Sequence, residues 1–103
     1  MSLAEAEIIK KYSFSLFISE GTTVSDQALY NLHIICDRLG SADCEIEIIN
    51  IKKDPKRAEV DRIMAIPTLV KRGPGPVLRI IGDLSDHRKV LKALGHISTL
   101  HST

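Results

Sequence analysis

Tyr12, Phe14, Leu16 and Ile18 alternate with Ser13, Ser15, Phe17 and Ser19, the period-two signature of a strand with one strongly apolar face. Ile8 and Ile9 could extend it toward the N-terminus. A turn cluster, Glu20-Gly21-Thr22-Thr23, follows, and Ser25-Asp26 places a capping hydroxyl and an acid where a helix begins. Ala28, Leu29, Leu32, Ile35, Cys36 and Leu39 recur at helical spacing before Gly40, which predicts an amphipathic helix over about 26–39. Residues 44–51 open in alternation and end almost continuously apolar, the pattern of a strand entering a sheet's interior. Asp54-Pro55 pairs a cap with Pro at the first helical position, and residues 58–63 carry a short helix. A third strand over 65–71 has Pro67 near its start, where a missing donor does least harm. Arg72-Gly73-Pro74-Gly75-Pro76 reads as a hairpin connection to a return strand over 77–81 that Gly82 ends. Ser85 or Asp86 then caps a last helix whose apolar positions are Val90, Leu91, Leu94 and Ile97.

Composition narrows the function classes. A chain of 103 residues leaves room for one domain spanning 1–103, with 1–11 and 97–103 expected to fray. Fourteen Lys and Arg against thirteen Asp and Glu give a net charge of +1, too balanced for coating phosphate backbones or anionic lipid, so neither nucleic acid nor membrane is an expected partner. With no Trp and only four aromatics, the core must be aliphatic. Cys36 and Cys44 fit neither a CxxC redox pair nor a zinc knuckle and read as two reduced thiols. The N-terminal residues lack a basic n-region and an apolar h-region, which makes the cytoplasm the expected location.

The order strand, helix, strand, helix, strand, strand, helix describes an α/β domain with a mixed four-stranded sheet and helices on both faces. It resembles a thioredoxin fold, most sharply at Asp54-Pro55 and at Ile66-Pro67-Thr68-Leu69, where thioredoxins place a cis proline beside their active site. Thioredoxins carry their redox cysteines between the first strand and first helix. The corresponding residues here, 19–26, contain no sulfur, and a hydroxyl cannot be poised as a thiolate is.

A more specific resemblance is to the KaiB family of bacterial circadian-clock proteins, over roughly residues 12–95. It is carried by Lys53-Asp54-Pro55, by Ile63-Met64-Ala65-Ile66-Pro67-Thr68-Leu69-Val70-Lys71, and above all by Pro74 through Ser85 followed by Lys89-Val90-Leu91. The resemblance implies a non-enzymatic protein without cofactor or metal, which binds the ATPase ring of KaiC and self-associates to a dimer or tetramer. Arg62, Lys71 and Arg79 match its partner-binding positions. It further implies metamorphism between the thioredoxin-like order and a ground state ordered strand, helix, strand, strand, helix, helix, strand. Pro67, Pro74, Pro76, Gly82 and Asp83 are the backbone positions expected to matter for that exchange.

Departures from the family pattern suggest a diverged homologue or paralogue, serving timing or stress response. Only Thr22 and Ser25 survive from the family's run after the first strand; Glu47 stands where Lys is usual, Gln27 where Arg is frequent, and Leu78 replaces the first of two paired arginines. Ala93 replaces a frequent Gly, and the usual acidic tail is absent.

Other candidates reduce to structural roles. His33, His87, His96 and His101 fall on different elements with no metal-ligand spacing. Glu45 and Glu47 share a strand face without a supporting acid pair, as on a solvated edge, and residues 21–25 lack the Gly-Lys of a phosphate loop. The competing reading of function is a thioredoxin-fold protein acting in oxidative-stress redox chemistry.

Overall fold

The first strand, β1 (Tyr12–Ile18), is covered on both faces: Phe14, Leu16 and Ile18 are buried on one, Ser15 and Phe17 on the other. A computed structural model describes residues 12–96; the expected contributions of Ile8, Ile9 and Ile97 and the fraying of both ends lie outside that range. β2 (Cys44–Asn50) pairs with β1 in parallel, β3 (Thr68–Gly73) pairs with β1 antiparallel, and β4 (Leu78–Ile81) pairs antiparallel with β3, giving the order β2-β1-β3-β4.

Helix α1 (Thr23–Leu39) and helix α3 (His87–Ala93) cover one face of the sheet. Ala28, Leu32, Ile35 and Cys36 from α1 and Val90 and Leu91 from α3 meet Phe14, Leu16 and Leu69 in the larger apolar cluster. Each fully buried Leu or Phe there contributes roughly 1.5–3 kcal/mol. Helix α2 (Pro55–Val60) covers part of the other face, where Ala58, Ile63 and Ile66 pack around Phe17, Ile49 and Val70. The mixed sheet with helices on both faces is thus present, and the architecture is thioredoxin-like.

Several local expectations are corrected. The near-continuous apolar end of β2 suggested an interior strand, yet β2 is an edge, because β3 takes the opposite side of β1. Of its residues only Ile49 is buried, and Ile48 is 42% exposed. Helix α1 starts earlier than the spacing predicts: Thr22 is its cap, accepting from the Ser25 amide, while Ser25 is buried and its Oγ accepts from the Ser19 amide. Asp54 precedes α2 without a side-chain capping bond, so Pro55 at the first turn and the Asp54 carbonyl, which accepts from the Arg57 amide, set that start. Arg72 and Gly73 extend β3 rather than the connection, and α3 ends at Ala93. Asp86, one of two proposed caps, accepts from the Lys89 amide.

Both Ile66–Pro67 and Gly73–Pro74 are cis. Beyond β4, Gly82 (φ +117°) and Leu84 (φ +63°) turn the chain back toward α3. Leu84 is buried in the larger cluster despite a backbone conformation that bulky residues avoid. Asn31 of α1 ties this turn down: its Nδ2 donates to the Asp83 carbonyl at 2.8 Å, and its Oδ1 lies 2.8 Å from His87 Nε2.

Candidate functional site

Alternation along β1 and β2 sends Ser13, Ser15, Glu45 and Glu47 to the sheet face shared with α2, and the β3–β4 register puts Val70, Arg72 and Arg79 there too. Past the small apolar cluster this face is polar. Glu47 is held by Arg57 of α2, with Nη1 2.7 Å from Oε2 and Nη2 3.0 Å from Oε1, and accepts a third bond from Ser15 Oγ at 3.1 Å. Ser15 Oγ in turn accepts from Arg72 Nε at 2.8 Å, and Arg72 Nη2 reaches Asp61 Oδ2 at 3.1 Å. Arg57 Nε lies 3.9 Å from the same Asp61 oxygen. Two carboxylates, two guanidiniums and one hydroxyl therefore form a closed ring joining β1, β2, β3 and α2. Its electrostatic consequence is clearest at Glu47: the bond from Arg57 foremost, with help from Ser15, holds the carboxyl at about 2, below its usual 4.5.

Arg79 extends the ring toward β4, donating to the carbonyls of Asp61 (2.6 Å) and Arg62 (3.1 Å). Arg62 sits at φ +54°, so Arg79 braces a turn of unfavourable backbone. Exposed apolar side chains flank these residues along the chain: Val60 precedes Asp61, Met64 lies two residues past Arg62 and is 92% exposed, and Ile81 lies two residues past Arg79 on β4. Of the residues matched to partner binding, Arg62 and Arg79 are brought together. Lys71 is not: it is 8% exposed, on the opposite sheet face, and its Nζ donates to the Pro74 carbonyl at 2.6 Å. Pro67 immediately precedes β3 and its carbonyl accepts from the Gly82 amide, Pro74 and Pro76 flank the tip of the β3–β4 hairpin, and Gly82 and Asp83 form the turn tied to Asn31. Asp83 Oδ1 accepts from the Ser85 amide, and bonding to Ser85 lowers the Asp83 carboxyl below its ordinary value.

The stretch equivalent to a thioredoxin's redox loop is occupied by polar contacts. Lys52 Nζ donates to the Glu20 carbonyl at 2.7 Å, and the Asn50 amide exchanges bonds with the Glu20 amide and carboxylate. Thr22 and Ser25 spend their hydroxyls on the helix start. His33 bonds the Leu29 carbonyl and His87 bonds Asn31; among the described residues no three metal-ligating side chains converge. No described helix is long and apolar enough to cross a membrane.

Arg57, Asp61 and Arg72 were not singled out from the sequence. Only the i,i+4 spacing of Arg57 and Asp61 hinted at a pairing, and nothing linear joins them to Ser15 or Arg72.

The family model described as the KaiB domain matches residues 15–96, most of the chain and all five residues of the ring. The chain belongs to the KaiB family. It is 42% identical over 79 residues to the circadian clock protein KaiB3 of Synechocystis sp., covering 77% of this chain and 78% of that one. Against the circadian clock oscillator protein KaiB of Prochlorococcus marinus the identity is 44% over 85 residues, covering 82% and 75%. Among solved structures, the N-terminal domain of SasA from Synechococcus elongatus superposes with a TM-score of 0.66 at 23% identity, covering 85% of this chain and 87% of that domain. That likeness concerns the fold. As a KaiB family member, the chain is a circadian clock-type protein, with its thioredoxin-like sheet carrying no cysteine in the redox loop.

Proposed function

We propose that this chain is a non-enzymatic regulatory protein of the cytoplasm. It binds a KaiC-type ATPase in a clock-type or stress-response system, with residues 1–103 acting as one unit. The binding surface in this reading is centred on Arg62 and Arg79 and bordered by Val60, Met64 and Ile81. The observation that carries it is the exposure of large apolar side chains around two guanidinium-bearing residues on a face braced by salt bridges. Exposed apolar groups beside Arg are the composition of interface hot spots. Lys71 contributes indirectly, by holding the hairpin tip through the Pro74 carbonyl.

Self-association to a dimer or tetramer competes with that binding, through refolding of the half that contains Pro67, Pro74, Pro76, Gly82 and Asp83. Support comes from Leu84, whose buried side chain is held at φ +63°, a local conflict that an alternative packing would relieve. Co-elution with the purified KaiC-type ATPase of the same organism, across its nucleotide states, tests the reading. A complex is expected in at least one state, and none in any state would overturn it.

A further inference from the structure

Cys36 lies in the C-terminal part of α1, and Cys44 is the first residue of β2; the chain has no other cysteine. Gly40, at φ +99°, and a single 3-10 turn, Ser41–Asp43, fold the connection back on itself. Both side chains consequently enter the larger apolar cluster: Cys36 is 4% exposed and Cys44 is half-buried beside it. There the two reduced thiols pack in the same cluster, near enough that each perturbs the other's titration, Cys44 raising Cys36 and Cys36 lowering Cys44. A spacing of eight residues across a helix end, a turn and a strand start matches no redox motif, so only the fold reveals the pair.

We propose that Cys36 and Cys44 are a reversible modification site that closes to an intramolecular disulfide under a hydroperoxide oxidant. Cys44, the more exposed sulfur, reacts first. Its thiolate attacks one peroxide oxygen, the O–O bond breaks, and a sulfenic acid forms as hydroxide leaves and takes up a proton. The Cys36 thiolate then attacks the Cys44 sulfur; the S–S bond forms, the S–O bond breaks and a second water departs. With hydrogen peroxide, the thiols give up two electrons and two protons, and the peroxide is reduced to two waters. A dithiol reductant reverses the change by exchange.

The location suits a slow responder rather than a catalyst. Thioredoxin-type thiols are activated at a helix N-terminus, whereas this pair sits at the C-terminal end of α1, the negative end of its dipole. Burial foremost pushes both thiols above their ordinary value, with Cys44 and then Asp37 adding to the rise at Cys36, and Asp43 and Asp37 adding to it at Cys44. The thiolate fraction is correspondingly small, and oxidation requires sustained exposure. Once formed, the bond ties the end of α1 to the β2 edge strand and closes a short loop, restricting the unfolded chain.

The test uses the full-length reduced protein, treated with hydrogen peroxide, alkylated under denaturing conditions and read by intact mass and peptide mapping. Both free thiols should disappear together, leaving a Cys36–Cys44 linked peptide within one chain, and dithiothreitol should restore both. The oxidised form should melt several degrees higher. In Cys44→Ser, Cys36 should stay alkylable after the same exposure. Thiols that remain alkylable in the wild type, links formed only between chains, or conversion straight to sulfinic acid would overturn the proposal. Oxidation of Cys36 in Cys44→Ser would overturn the assignment of Cys44 as the point of entry. In Cys36→Ala, which keeps a small apolar group in the core, Cys44 should still lose its free thiol to a sulfenic acid, and a Cys44 that stays alkylable there would overturn its assignment as the point of entry.

Discussion

Arg57 of α2 grips Glu47 of β2 through two parallel hydrogen bonds, 2.7 and 3.0 Å long, and so fastens a helix of under two turns to an exposed edge strand. Paired prongs fix orientation as well as distance, which a single ammonium contact would not. The pair is solvent-accessible, so its contribution is screened, and its value lies more in positioning α2 than in raw stability.

A pH dependence follows from that grip. The folded-state pKa of Glu47, about 2, is below its usual 4.5, so between those values the unfolded chain binds the proton more readily. The contribution is full above pH 4.5 and fades as pH falls through 2. Urea midpoints measured across this window should drop more steeply for the wild type than for Glu47→Gln. Parallel curves would show that the grip carries no linkage.

Leu84 supplies a second prediction. Glycine is ordinarily less stable than alanine at a buried site, but φ +63° reverses the order. Leu84→Ala and Leu84→Gly both lose the buried side chain, yet Leu84→Gly should be the more stable of the two by about 1 kcal/mol. Equilibrium denaturation of the two variants compares them directly.

Asn31 is the third. Its amide serves the Asp83 carbonyl and His87 at once, coupling α1 to the 82–85 turn and to α3. Asn31→Ala should cost about 1–3 kcal/mol, with faster hydrogen exchange concentrated at residues 83–91. Uniform acceleration across the sheet would contradict this local role.

Arg79 braces the carbonyls of Asp61 and Arg62 from an exposed position where water can replace it. Arg79→Met should therefore destabilise by only about 1 kcal/mol. A much larger loss, read from thermal melts, would mean that the turn depends on the brace.

The periodicity of residues 12–18 and 28–39, and the Pro and Gly punctuation after residue 71, were enough to order the elements, because each depends on local alternation or breakers. The edge position of β2 was not legible: Ile48-Ile49-Asn50-Ile51 looks interior, and only the β1–β3 pairing decides otherwise. The cap of α1 was misplaced because Thr22 and Ser25 carry equivalent hydroxyls, and burial of Ser25 separates their roles. Arg62, Lys71 and Arg79 look alike in the sequence, but strand parity turns Lys71 inward to Pro74. The ring of Ser15, Glu47, Arg57, Asp61 and Arg72 draws on four elements and has no linear signature.

The most direct measurement is the affinity of the purified chain for the KaiC-type ATPase of its own organism, with Arg62→Glu and Met64→Asp alongside the wild type. Both side chains are exposed, so neither variant should change the melting temperature. The account predicts that the wild type binds and that each variant binds more weakly by about tenfold or more, some 1.4 kcal/mol or more per substitution. Wild-type binding that both variants leave intact, or no binding by the wild type, would contradict it.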